Sequence, residues 1–353
     1  MKTLFLTIAA LFVAGSLRVA AQQSGWELVA APVANGKPVV ATGISATPSG
    51  ALFLVASGEG LLYRSLTMGK TWEPAGTGIV PDHLRQARVL ASPSGTLFLQ
   101  SPVGTIIYRS INNGSDWSPS LELPKGGGQL YDLAFTSQGV IYATTDGAKM
   151  YRSSDDGKTW QMMDAPIVSP LVSATTNGDV VMATTNDSLK AVALRSEGGT
   201  GTWKQTFTGA KNTTLDRLFL NPQTNILFIG VSNLKNGAFV DADIFCSVDF
   251  GVSWQLVNTG IPTSDRRIAS HIVTPDGHLH ILVAGKAILT LPFARAEWEQ
   301  RISISGITEP KHLANIGHQW FIATAAGEIY QKDLNPTGVE MEGIGEKLPL
   351  DLW

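Results

Sequence analysis

Two short stretches concentrate side chains able to hold a charged ligand: Asp82-His83-Leu84-Arg85 and Ser264-Asp265-Arg266-Arg267. A further arginine, Arg217, follows Asp216 on an apolar segment. The guanidinium fork matches planar carboxylates and phosphates, so Arg85, Arg217, Arg266 and Arg267 gathered at one place would form an anion site. Asp82, Asp132, Asp216 and Asp265 are the acids of the same neighbourhood, too scattered in sequence to nominate an acid–base pair. The candidate ligand-binding set is therefore Asp82, His83, Arg85, Asp132, Arg217, Asp265, Arg266 and Arg267, with no catalytic residue assigned. The competing reading makes them solvated loop charges in local pairs. His278-Leu279-His280 puts two imidazoles on one face of a strand, as a metal pair would need. No third ligand stands at a matching spacing, and Asp241-Ala242-Asp243 lacks the Gly and Glu of a calcium loop, so neither metal nor cofactor is expected.

The elements that must position these residues come from a repeat. Trp26, Trp72, Trp117, Trp160, Trp203, Trp254 and Trp298 lie 46, 45, 43, 43, 51 and 44 residues apart. From Trp72 onward, most are preceded by an apolar strand such as Leu130–Phe135, a Gly-led turn and a second strand such as 140–144. A third strand then ends in Tyr-Arg-Ser (Tyr63-Arg64-Ser65, Tyr108-Arg109-Ser110, Tyr151-Arg152-Ser153), and a tight loop delivers the tryptophan that opens a fourth. Four short strands per ~45 residues is the period of a propeller blade. Seven innermost strands are expected to begin near Val39, Ala87, Leu130, Val168, Thr214, Ala269 and Lys311. The seventh unit lacks its tryptophan strand, while Trp26-Glu27-Leu28-Val29 is an orphan fourth strand at the other end of the chain. Pairing the two closes the ring and removes both open edges. A competing closure would use residues 339–343. The fold expected is all-β: a seven-bladed β-propeller of four-stranded antiparallel blades over residues 22–333, with 334–353 as a tail.

The loop before each tryptophan carries a motif. In the third repeat it reads Ser153-Ser154-Asp155-Asp156-Gly157-Lys158-Thr159-Trp160, and in the fifth Ser247-Val248-Asp249-Phe250-Gly251-Val252-Ser253-Trp254. The first keeps Ser65, Gly69 and Trp72 with Thr67 for the aspartate; the second keeps Ser110, Gly114 and Trp117 with Asn112 there. The fourth retains Ser196 and Trp203, and the sixth Trp298 alone. The chain thus resembles the Asp-box, or BNR-repeat, propellers over roughly residues 26–333. The motif residues read as structural staples: a short acid or amide accepting backbone N–H bonds of its own turn, a glycine at positive φ, and a tryptophan buried between blades.

Function is less sharply drawn. In propellers of this type ligands usually meet the face opposite the Asp-box loops, built from fourth-to-first connections and second-to-third turns. Sialidases, which share the repeat, begin their arginine apparatus with Phe/Tyr-Arg-Ile-Pro, which is absent here, and have six blades. Xyloglucanase-like glycosidases have seven blades but set two propellers across a cleft. Exported photosystem II assembly factors are single seven-bladed protein-binding rings of this size; their Thr-x-Asp-Gly-Gly-x-Thr-Trp loops differ from the ones here. Sortilin-type receptors are larger and cysteine-rich. The resemblance therefore implies a non-catalytic binding module for a glycan or protein partner, with a glycoside hydrolase as the alternative. The insertion Asn233–Asp241 offers a projecting recognition loop.

Composition agrees with these elements. Charged residues make up 16% of the 353 positions, against a usual share of about 25%. The 36 glycines suit tight turns, and 44% apolar residues suffice for a core. A net charge of −3 gives no footprint for nucleic acid, and one cysteine, Cys246, excludes an internal disulfide. Lys2 followed by the apolar run 4–14 and the small residues Val19-Ala20-Ala21 reads as a signal peptide over residues 1–21, cleaved before Gln22. Its removal leaves 24 basic against 29 acidic residues. No other apolar stretch reaches spanning length, so the expectation is an exported monomer, periplasmic or extracellular, without a membrane span.

Overall fold

The computed structural model describes residues 25–56, 58–101, 104–261, 266–283, 287–292 and 297–334. The expected signal segment 1–21, the alternative closing strand 339–343, nearly all of the tail and Asp265 lie outside the described residues.

Seven four-stranded antiparallel sheets follow one another along the chain. Blade 1 comprises Gly43–Ala46, Leu52–Ala56, Leu61–Ser65 and Glu73–Pro74; blade 2 comprises Arg88–Ala91, Leu97–Gln100, Ile106–Ser110 and Ser118–Glu122. Blade 3 is Leu130–Phe135, Ile141–Thr145, Lys149–Ser153 and Gln161–Asp164; blade 4 is Leu171–Ala174, Val180–Thr185, Ala191–Ser196 and Trp203–Thr208. Blade 5 has the longest strands, Thr213–Asn221, Ile226–Lys235 and Ala238–Ser247, with a short outer strand Gln255–Leu256. Blade 6 is Ile268–Val273, Leu279–Val283, Ala287–Leu291 and Glu299–Ile302. Blade 7 takes Pro310–Ile316, Gln319–Thr324 and Ile329–Asp333 from the C-terminal side, and its fourth strand is Glu27–Val29. Leu28 sits opposite Tyr330 in that pairing, so the N-terminal strand closes the ring. The innermost strand of blade 7 packs beside that of blade 1, completing the circle.

Five inner strands begin within one residue of the expected positions. Blade 1 starts at Gly43 rather than Val39, because residues 33–38 first form a small hairpin, Val33–Ala34 with Lys37–Pro38. Blade 4 starts at Leu171 rather than Val168. Second strands are covered on both faces by neighbouring blades, which is why they read as continuous apolar runs: Leu52–Ala56 and Leu279–Val283 are buried throughout. The outer strands Glu73–Pro74 and Gln255–Leu256 are fully exposed.

Four of the repeat tryptophans also bond to backbone, whereas the indole N–H of Trp203 is buried without a partner. The indole N–H of Trp117 donates to Ala75 O at 2.8 Å, that of Trp298 to Val257 O at 2.7 Å, and that of Trp72 to Ala30 O at 2.8 Å. Each of these bonds reaches the preceding turn of the ring. Trp26 makes the equivalent bond to Ser303 O at 2.7 Å and is 1% exposed, so the first tryptophan serves the seventh blade as the others serve theirs.

Four of the loops before the tryptophans, those of blades 1, 2, 3 and 5, share one geometry. Ser153 Oγ accepts from Gly157 N at 2.9 Å and donates to Asp155 Oδ1 at 2.8 Å, while Asp155 accepts from Thr159 N at 2.9 Å. Ser247, Asp249, Gly251 and Ser253 repeat it, with Gly251 N to Ser247 Oγ at 2.8 Å and Ser253 N to Asp249 Oδ1 at 2.8 Å. Asn112 Oδ1 takes the aspartate's place, accepting from Asp116 N at 3.1 Å, and Thr67 Oγ1 accepts from Thr71 N at 2.9 Å. These hydrogen bonds hold the Asp155 carboxyl well below the usual carboxylate range and lower that of Asp249 as well. Gly157 must be glycine twice over: its φ is +76°, and a Cβ would lie 2.5 Å from Cε1 of Phe98 in the preceding blade.

The arginine of Tyr-Arg-Ser ties that loop to its neighbour. Arg64 of blade 1 donates to Asn113 O at 2.6 Å and Ser115 Oγ at 2.7 Å in the loop of blade 2. Arg109 of blade 2 donates to Asp156 O at 2.8 Å in the loop of blade 3. The recurrence of arginine at this place is therefore an inter-blade clasp.

Candidate functional site

The fourth-to-first connections and second-to-third turns lie together on the face opposite the Ser-to-Trp loops, and the described ligand-binding candidates Asp82, His83, Arg85, Asp132, Arg217, Arg266 and Arg267 lie there or just inside it. Four of them do not form the arginine cluster expected. Arg85 is largely exposed and sits 3.8 Å from Asp82 in the short 3-10 turn Pro81–Leu84. Arg266 is 3.4 Å from Asp241 and 3.8 Å from Asp243. Arg267 stacks on the Phe239 ring at 4.3 Å. Each of these three guanidinium groups is held by its own neighbour, so they do not converge with Arg217 on one ligand. His83 places Nδ1 2.8 Å from the hydroxyl of Tyr108, pinning its connection to blade 2.

Asp132 is committed to structure. It is 4% exposed, accepts from Leu133 N at 2.8 Å and Val172 N at 3.0 Å, and pairs with Arg88. Those bonds join blades 2, 3 and 4 and engage both carboxylate oxygens in holding the fold.

Of the basic residues on the inner strands around the central channel, the sequence reading nominated Arg217 and missed Arg88, His271 and His312. Arg88 of blade 2, Arg217 of blade 5, and His271 and His312 of blades 6 and 7 all stand on inner strands. Arg88 keeps 45% of its side chain accessible to water although protein surrounds it, as befits a channel wall. Arg88 and Arg217 stand on the inner strands of blades 2 and 5; burial first, and then the positive charge of Arg217, lowers Arg88 to about 10. Burial, with the positive charges of Arg217 and Arg88, lowers His271 to about 3, and burial with Arg217 and Lys311 lowers His312 too. His271 is thus a neutral imidazole at pH 7, stacked on Phe219 at 3.9 Å. Arg217 is anchored by Nη2 to Ala269 O at 3.0 Å, while its Nε is buried without a partner.

The rim beside blade 5 is built from the expected insertion, which is a regular hairpin rather than a loose loop. Its Asn236-Gly237 turn has φ of +53° and +76°, the pair of left-handed residues that a two-residue hairpin needs. Asp243 is held by Asn233 Nδ2 at 2.8 Å and Asn258 Nδ2 at 2.6 Å, so the hairpin's base is stiff. Next to it Asp216 has a buried Oδ2 with no hydrogen-bond partner, and burial raises its carboxyl although Arg217 and Arg267 oppose the shift.

The remaining chemistry is quiet. His280 contacts Thr290 Oγ1 at 2.8 Å and Thr274 Oγ1 at 3.2 Å and lies edge-on to Trp320, while His278 lies 3.3 Å from Asp276. Among the described residues no group of three or more His, Cys, Asp or Glu could hold a metal ion. Burial pushes the Cys246 thiol up to about 11, away from reactivity. No helix among the described residues is long and apolar enough to cross a membrane.

Seven antiparallel four-stranded sheets around a charged channel define a β-propeller, and comparison with known proteins agrees. Residues 71–215 match the model of the DUF6242 beta propeller domain. No curated protein matches. Among solved structures, YCF48 bound to D1 peptide is 20% identical with a TM-score of 0.59, covering 87% of this chain and 96% of that one. Virginiamycin B lyase from Staphylococcus aureus, in a catalytically inactive form with quinupristin, is 14% identical with a TM-score of 0.64, covering 87% and 98%. The GH74 xyloglucanase from Xanthomonas campestris is 16% identical with a TM-score of 0.56, covering 80% of this chain but 50% of the enzyme. At these identities the likeness is one of fold.

Proposed function

We propose that the protein is an exported, non-catalytic Asp-box propeller that binds a protein or glycan partner on the face opposite its Ser-to-Trp loops. One observation carries the reading: Asp132, Asp241 and Asp243 of that face are tied up in holding the fold, which leaves Asp216, with its buried and unbonded Oδ2, as a lone carboxyl rather than half of a pair among the described acids. Asp132 is committed to three donors, Asp241 and Asp243 to Arg266 and the hairpin base, and Asp82 to Arg85. A retaining or inverting glycosidase needs two carboxyls facing one scissile bond. The rigid hairpin of blade 5, with Phe239 under Arg267, offers an aromatic and cationic contact surface beside the channel. That a similarly folded ring, YCF48, is known bound to the D1 peptide supports a peptide as one partner class.

The test has two arms on residues 22–353. Arrays of peptides and glycans are screened for equilibrium binding, and activated sialosides and β-glucan oligosaccharides are screened for hydrolysis. The reading predicts saturable binding without turnover. Robust hydrolysis, abolished by substituting Asp82, Asp132, Asp216 or Asp265, overturns it in favour of a glycoside hydrolase.

A further inference from the structure

We propose that the axial channel is an oxyanion site, in which Arg88, Arg217, His271 and His312 hold a carboxylate or phosphate group of the ligand. The inference deepens the reading of this face as the binding face and rests on it for biological meaning.

Three observations place these residues at the channel, with His271 one position along its strand from the level that the other three share. The first is height along the axis. Arg88 lies opposite Gln100, Arg217 opposite Gly230 and His312 opposite Ala323, each the fourth residue of the conserved-length core of its second strand, counted from Leu97, Leu227 and Trp320. Gly43, Asp132, Leu171 and Ser270 hold the same place in the other blades, opposite Val55, Thr144, Ala183 and Leu282. The ring at this level is thus small or apolar on three positions and basic on three, with one carboxylate already engaged. The second is direction. Arg217 Nη2 reaches Ala269 O on the inner strand of blade 6 and Arg88 keeps 45% of its side chain accessible, so both run along the inner wall, where the charge of Arg217 adds to burial in lowering Arg88 and His271. The third is unspent donor capacity. Arg217 Nε is buried without a partner, and no ring nitrogen of His271 or His312 has a hydrogen-bond partner among the described residues. The glycine at 230 helps, since it leaves room beside Arg217 Cβ where a side chain would crowd it.

Counter-charge is short at this level. Asp132 serves Arg88, Leu133 N and Val172 N, and Asp216 is set back with its buried Oδ2 unbonded. Two guanidinium groups, with Lys311 on the same inner strand as His312, therefore face each other with one engaged carboxylate between them. A bound oxyanion relieves that repulsion, accepting from the guanidinium forks and from the N–H of the neutral imidazoles.

The experiment uses residues 22–353 and two probes, inorganic phosphate and acetate, at constant ionic strength with chloride as the reference salt. Isothermal titration calorimetry is expected to show saturable binding of at least one probe. Arg217→Gln and Arg88→Gln should each weaken it about tenfold or more, the usual consequence of losing a charge-assisted hydrogen bond. His312→Asn, which removes no structural hydrogen bond, should weaken it by a smaller factor and keeps the test valid if an arginine variant misfolds. Arg85→Gln, outside the channel, should leave it unchanged. Imidazole resonances of His271 and His312 should shift saturably as anion is added, while those of His318 stay in place. Phosphate binding without acetate binding points to a phosphorylated ligand, and the reverse to a carboxylate. Absence of saturable binding by either, or equal affinity in wild type and all channel variants, overturns the inference. Failure here with array ligands still bound leaves the proposed function standing; anion binding with no array ligand sinks the function alone.

Discussion

Replacing Asp132 separates a structural acid from a catalytic one. In the ring this carboxylate is 4% exposed and serves two backbone N–H groups, of Leu133 at 2.8 Å and Val172 at 3.0 Å, besides Arg88. Asp132→Ala strands both N–H groups away from water, at about 1 kcal/mol or somewhat more each. It also releases Arg88, but that side chain is 45% accessible, so its loss adds under about 1 kcal/mol. The expected cost is about 3 kcal/mol, within the range for breaking a buried pair. With a urea m-value near the upper end of about 1–3 kcal/mol/M, the midpoint should fall by about 1 M with the slope unchanged. Asp132→Asn should cost nearly as much, since an amide turned to accept at one oxygen presents its NH2 to the other backbone donor. Equilibrium urea unfolding followed by tryptophan fluorescence reads all three proteins. A midpoint shift below about 0.3 M in Asp132→Ala would refute the assignment of Asp132 as an inter-blade staple.

Further outcomes follow from other parts of the ring. Trp26→Ala, which empties a buried site and deletes the bond to Ser303 O, should cost about 3–5 kcal/mol in the same assay, and Trp26→Phe distinctly less. Gly157→Ala, driving a Cβ into Phe98, should destabilise more than Gly139→Ala, where the φ of +82° is matched but no atom lies within 4 Å; thermal melts compare the two. His271, lowered to about 3 in the fold against about 6.5 when unfolded, makes the unfolded chain bind the extra proton. Its contribution is complete above pH 6.5 and is lost as pH falls toward 3, so His271→Gln should flatten the stability profile across that window. Burial raises Asp216, which therefore opposes folding once ionised, so Asp216→Asn should raise the melting temperature at pH 7 and not at pH 3.

The architecture was readable because its determinants are periodic and local. Tryptophans at blade spacing, turn glycines and the orphan strand at Trp26 each state a short-range requirement, and the ring closes as they imply. Channel chemistry is not local. Inner strands of blades 3, 5, 6 and 7 shift register between Leu130 and Asp132, Leu215 and Arg217, Ile268 and Ser270, and Pro310 and His312. A one-residue shift exchanges the faces of a strand, so alternation along the sequence does not tell which side chain enters the channel. His312 was hidden in this way, whereas Arg88 opens a strand without such a shift and was passed over beside the denser charges of residues 82–85. Arg85, Arg266 and Arg267 drew attention through charge density, yet each finds its partner nearby. The Tyr-Arg-Ser arginines were visible as repetition, but their purpose needed the neighbouring blade.

Amide hydrogen exchange of residues 22–353, free and saturated with a ligand found on the peptide and glycan arrays, tests the central claim most directly. The account predicts added protection at residues 81–88, 215–217, 236–241 and 310–312, around the channel mouth and the blade 5 hairpin. Protection confined to residues 66–71, 111–116, 154–159 and 248–253, the Ser-to-Trp loops of the opposite face, would contradict it.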